Sequence, residues 1–160
     1  WPDRYFIIGN HEERIERAIE NNPRAFEGVI SYDDFELGGR QAVPFLEELE
    51  LESVCFSHYF QNRNTGRPWG GEIPNRLAKI GHSFVMGHQQ GFRWGEMHTV
   101  LGHRRQGIAA GSFYPEGMKY QGPQGSEWRG MFIMDDVCNG EFEIRRFSID
   151  KLRDMYGREA

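Results

Sequence analysis

The 160-residue chain lacks most features that assign a protein quickly. It has two cysteines, Cys55 and Cys138, and no Cys-x-x-Cys pair. That sets a disulfide framework aside and predicts free thiols buried in apolar runs, in a reducing compartment. No apolar run approaches the roughly 20 residues of a spanning helix, and no stretch reads as a signal peptide. The expectation is a cytoplasmic protein with no membrane partner. Positive charge is not in excess: 19 lysines and arginines stand against 24 aspartates and glutamates, for a net charge of −5. This excludes a broad, non-specific nucleic-acid surface but not a local basic groove. Repeats, low-complexity tracts and long charge blocks are absent. There is no initiator Met; the chain opens on Trp1, which predicts a cleaved product or part of something longer.

What is present is an ordinary globular composition, 38% hydrophobic and 27% charged, enough for a single domain over 1–160 with its own core. The pattern is mixed. RYFII (Arg4 to Ile8) reads as a buried strand, and His11 to Asn21 as a helix with Ile15, Ala18 and Ile19 on one face, stopped by Asn22-Pro23. Ser31 to Phe35 reads as one helical turn. Ala42 to Leu46 and Leu49 to Ser57 read as extended segments, and Asn62 to Gly71 as loop. Ile73 to Ile80 is a short helix opening at Pro74 and ending at Gly81, and Ser83 to Met86 a strand. Phe92 to Leu101 with Arg105 to Ala110 forms a hairpin. Tyr114 to Arg129 is a Gly/Pro-containing loop. Met131 to Val137 and Glu141 to Ile149 form a second hairpin around Asn139-Gly140. Strand-helix units come first and antiparallel strands last, which predicts a mixed α/β domain.

Three places share one shape, an apolar strand, a small residue and then His: FIIGNH (Phe6 to His11), VCFSH (Val54 to His58) and FVMGH (Phe84 to His88). Loops after strand C-termini are where α/β sheets build sites. Three neighbouring parallel strands would bring three imidazoles and the Asn10 amide to one edge. Imidazole is the commonest ligand of borderline divalent metals and the commonest general acid or base. Taken singly, each His reads equally as structural, and Asn10 as a helix cap.

GNHE (Gly9 to Glu12), the strand-ending SH at His58 and GH (Gly87-His88), in that order, resemble the second half of the calcineurin-like metallophosphoesterases. The resemblance covers about Tyr5 to Ile149. It implies a mixed-sheet, two-layer β-sandwich flanked by helices, and hydrolysis of phosphomonoesters or phosphodiesters by a metal-dependent phosphoric ester hydrolase. It implies Asn10, His58 and His88 as metal ligands and His11 beside the phosphate as catalytic acid. The cofactor it implies is a divalent metal, manganese first, with zinc, iron or nickel as alternatives.

The chain departs from that pattern twice. It has no Asp-x-His and no Gly-Asp, so the ligands of a first metal are expected on a missing N-terminal segment, in cis or on another chain. Where the pattern has a last His, this chain has Gln90. A glutamine oxygen suits a hard cation better than zinc or iron. The alternative reading is therefore a non-catalytic module that keeps the fold for binding or assembly.

Around this set, Arg63 and Arg67 lie with Trp69 in the loop after His58 and are candidates to grip a phosphoester substrate, nucleic acid included. His82 reads as structural, and His98 and His103 as exposed, either of the last two being a substitute for the lost ligand. Asp33-Asp34 reads as a capped turn and Asp135-Asp136 as a strand end.

Overall fold

The structure is a computed structural model that describes residues 2–31, 34–35, 37–114 and 127–157. The chain is mixed α/β. Strand β1 (Tyr5–Ile7) leads through a turn into helix α1 (Arg14–Asn21). A four-residue helix, α2 (Pro23–Phe26), precedes β2 (Gln41–Val43), which pairs with β1 in a parallel two-stranded sheet. Then follow β3 (Leu49–Leu51), β4 (Val54–Ser57), helix α3 (Ile73–Ile80), β5 (Ser83–Met86), β6 (Phe92–His98) and β7 (Arg104–Ala110). These five strands form one mixed sheet in the order β3-β4-β5-β7-β6, its three central strands parallel and its two edges antiparallel. β8 (Gly130–Cys138) and β9 (Glu141–Ser148) form a separate hairpin, followed by α4 (Ile149–Tyr156).

The sheet is buried on both faces, as parallel strands require. On one face α3 lays Ile73 and Leu77, one turn apart, onto Cys55, Phe84, Met86 and Ala109. The approach is close because β7 has Gly107 beneath the helix: a Cβ there would stand 2.7 Å from Ile73 Cγ2 and 2.8 Å from the Phe84 ring. On the other face Val54, Val85 and Ile108 pack against Phe142 of the β8–β9 hairpin. Gln106, fully buried, fastens the two layers. Its Nε2 donates to Phe142 O at 2.9 Å, and its Oε1 accepts from Phe142 N at 2.8 Å.

Several elements differ from the sequence expectation. The single extended segment over Leu49 to Ser57 is a hairpin, because Glu52 and Ser53 both take positive φ (48° and 61°) and turn the chain. Pro23 ends α1 but also opens α2, occupying the first helical turn, where it costs no hydrogen bond. The last strand stops at Ser148, whose Oγ accepts from Lys151 N (3.2 Å) and starts α4, a helix the sequence reading missed. Most of the loop over Tyr114 to Arg129 lies outside the described residues, as does part of the turn over Ser31 to Phe35, Asp33 included.

Candidate functional site

Parallel pairing places two of the three strand-His junctions side by side. Ser57 at the end of β4 pairs with Met86 at the end of β5, so both chains leave the sheet at the same edge. His58 follows at once; His88 follows after Gly87. The third junction arrives differently from the expectation. β1 belongs to the small sheet with β2, not to the five-stranded one, but its continuation through buried Ile8 and Gly9 still delivers Asn10 to the same edge.

There the side chains meet. His58 Nε2 lies 2.7 Å from Asn10 Oδ1 and 3.2 Å from His88 Nδ1. Asn10 therefore is not the cap of α1, whose first turn has no side-chain cap at all. Its neighbour Glu12 performs the local task instead, reaching back so that Gly9 N donates to Glu12 Oε2 at 2.9 Å. Gly9 leaves room for the Glu12 carboxylate and the His58 ring in their present positions. A Cβ would stand 2.7 Å from that carboxylate oxygen and 3.1 Å from the His58 ring. The rings of Phe45 and Tyr59 wall the cluster, with centroids 5.9 Å and 5.7 Å from that of His58, and Tyr59 also lies against His88 at 5.1 Å, tilted by 55°. His88 holds a left-handed backbone (φ 63°). This costs energy for a residue with a Cβ and is found where a side chain must be aimed.

Electrostatics keep this pair neutral. Burial, then the neighbouring His88, push the pKa of His58 down to about 4, Glu12 opposing them. His88 is lowered too, by burial and then by His11. His11 is exposed and follows Asn10 directly in the chain. Neutral imidazoles at physiological pH keep lone pairs available for a cation.

No family model, curated protein or solved structure matches this chain. The site is therefore read from its own geometry.

The donor set is one amide oxygen and two imidazole nitrogens. Ligands held about 2.1 Å from one cation stand roughly 3–3.4 Å apart. The His58–His88 separation fits that range, whereas the Asn10–His58 distance is that of a hydrogen bond. Among the described residues no group of three or more His, Cys, Asp and Glu side chains forms a metal centre; here the third donor is an amide. Gln90 adds a separate observation. Its carbonyl accepts from Trp128 N (2.9 Å) and Ser112 Oγ (3.3 Å), while its side-chain oxygen is buried with no partner among the described residues. Such an oxygen suits a hard cation chemically, but no described contact joins Gln90 to Asn10, His58 or His88.

The other predicted residues lie elsewhere. The loop after His58 folds back (Trp69 N to Phe60 O, 3.0 Å). Arg63 lines a cavity of about 380 Å³ with Cys55, Trp69, Lys79 and His82, which includes none of Asn10, His11, His58 and His88. Arg67 is exposed. His98 and His103 sit at the β6–β7 turn. Phe92, six residues before His98, pairs with Ala110 at the site end of the sheet. At about 3.4 Å per residue His98 is roughly 20 Å away, so neither His replaces a lost ligand. Asp135 is engaged by Arg145 on the surface of the last hairpin. What sequence reasoning missed at the site is its aromatic wall: Tyr59 follows His58 directly, but Phe45 is brought in from the β2–β3 connection.

Proposed function

We propose that this chain carries part of a metal-dependent phosphoesterase site of the metallophosphoesterase kind. The observation that carries the reading is the convergence of Asn10 Oδ1, His58 Nε2 and His88 Nδ1 from three strand ends. A five-stranded mixed sheet faced by a β-hairpin on one side and a helix on the other is compatible with the two-layer sandwich of that family. Asn10, His58, His88 and the orphan oxygen of Gln90 would hold a divalent cation, manganese by the hardness of the two amide oxygens. When bound, such a cation offsets charge on phosphoryl oxygens and acidifies water. The rest falls to this chain's own side chains. His11, exposed and next to Asn10 in the chain, gives a proton to the leaving oxygen of a phosphoester. Phe45 and Tyr59 exclude water from one side and keep His58 and His88 neutral. Arg63 and Arg67 would touch only parts of a long substrate, such as nucleic acid, remote from the phosphoester.

A second reading, a non-catalytic binding or assembly module, is favoured by one observation: among the described residues no carboxylate completes a metal-holding group with His58 and His88. Titration with manganese, or with cobalt as a spectroscopic probe, tests the shared premise. One ion per chain is expected, lost in His58→Ala and His88→Ala. Binding that ignores both substitutions would remove the site. Turnover of a phosphodiester by a gene product that also supplies carboxylate ligands then separates enzyme from module.

A further inference from the structure

A cleft of about 470 Å³ opens between the sheet and the last hairpin, on the far side of the sheet from α3. It is lined by Phe92 and Trp94 of β6, Arg104 and Gln106 of β7, and Phe142, Glu143, Ile144 and Arg146 of β9. Its floor is rigid, because Gln106 exchanges two hydrogen bonds with the backbone of Phe142. One wall is aromatic. Trp94 is 45% exposed and stands two residues from Phe92 on the same face of an edge strand. The opposite wall carries Ile144 and Arg146, alternate residues of β9.

The two arginines are not equivalent. Arg104 is neutralised, donating to Glu96 at 2.8 Å with Glu143 at 3.8 Å. The Arg146 guanidinium lies 4.9 Å over the Phe92 ring and makes no ion pair or hydrogen bond among the described residues. Stacking fixes the plane of a guanidinium while leaving its edge donors free, the arrangement that grips a carboxylate or phosphate in two-point fashion. An open indole face beside it accepts a flat ring. The volume is that of a small-molecule site.

We propose that this cleft binds a planar aromatic ring, fused or single, that carries one anionic group, a carboxylate or phosphate, directly or through a short linker: the ring against Trp94, the anionic group on Arg146. A second anionic group gains nothing, because the next cation, Arg104, is already satisfied and Glu143 stands beside it. This is independent of the histidine cluster.

The test uses adenosine 5′-monophosphate as probe, with EDTA present and on a His88→Ala background, so that the histidine cluster does not contribute. Saturable binding is expected. Adenosine alone and inorganic phosphate alone bind at least roughly tenfold more weakly, since each loses one of the two contacts. Arg146→Gln and Trp94→Ala each weaken binding by roughly tenfold, whereas Trp94→Phe, which keeps a ring, retains most of it. Adenosine triphosphate binds no more tightly than the monophosphate. No saturation at millimolar probe, or binding unchanged in both Arg146→Gln and Trp94→Ala, would overturn the proposal. If Trp94→Ala does not fold, Arg146→Gln and the comparison of whole probe with its two halves decide it.

Discussion

His58 Nε2 stands 3.2 Å from His88 Nδ1 because β4 and β5 run parallel in a register that ends them together, Ser57 against Met86. Two imidazoles at that separation repel once both are charged, and burial adds to the cost of charging His58.

The metal-free chain should lose stability on mild acidification. His58 titrates at about 4 in the fold against 6.5 in the unfolded chain. Between those values the unfolded state binds more protons, so the stability present above pH 6.5 falls as pH drops and levels off below 4. For a half-buried ring, solvent screening leaves roughly 1–2 kcal/mol of this. Thermal melts in EDTA from pH 7 to pH 4, with His58→Phe as reference, check it. A wild-type slope no steeper than that of the variant would contradict it.

Gly9→Ala should damage the site more than the fold. The new methyl meets Glu12 Oε2 at 2.7 Å and the His58 ring at 3.1 Å, so one of the two must turn away. Metal affinity is expected to fall by roughly tenfold or more, in line with displaced support for a ligand. The melting temperature should move by only a few degrees. Unchanged affinity would show that His58 does not need its present orientation.

Gln106→Ala should cost about 2–4 kcal/mol. It removes both hydrogen bonds to Phe142 and leaves that residue's buried N–H and C=O unpaired. Denaturant unfolding measures the loss, and a change below about 1 kcal/mol would mean that water replaces the glutamine.

Hydrolysis of p-nitrophenyl phosphates by the 160-residue chain should be negligible, even with manganese. On the proposed reading the cluster would hold one ion, and among the described residues no group of three or more His, Cys, Asp and Glu side chains is placed to hold a second. One positioned acid, His11, supplies roughly 10²–10⁴-fold, small beside the ~10²¹ that phosphate monoesters can require. In a gene product with the carboxylate ligands added, His11→Ala should lower turnover by roughly 10²–10⁴-fold. Vigorous, His11-dependent turnover by the short chain would relocate the first metal.

Legibility in the sequence followed the local chemistry. IPNRLAKI reads as α3 to the residue, since Pro74 suits its first turn and Gly81 (φ 81°) its left-handed cap. The Asn139-Gly140 turn announces the last hairpin in the same way. The β3–β4 turn is invisible, because Glu52 and Ser53 adopt left-handed angles without the glycine or asparagine that usually signals them. Asn10, His58 and His88 were findable because strand ends point to a common edge. That β1 lies outside the main sheet was not, since an apolar run says strand and not which neighbour. The place of Arg63 was not legible for a related reason: five residues from His58 in the chain, it lines a cavity that includes none of Asn10, His58 and His88.

The ladder of contacts also sets an order of events. The hairpins β3–β4, β6–β7 and β8–β9 each close short loops, and such units form in about 1–10 μs. The Asn10–His58 and His58–His88 contacts span 48 and 30 residues, and the parallel pairing of β4 with β5 waits for the crossover through α3. Long-range closure is the slow part of folding. During refolding, strand signals should therefore rise well before the His58 ring senses its neighbours. The imidazole proton resonances are then a clock for the final step of assembly, and a ligand of that edge can capture only chains that have already finished.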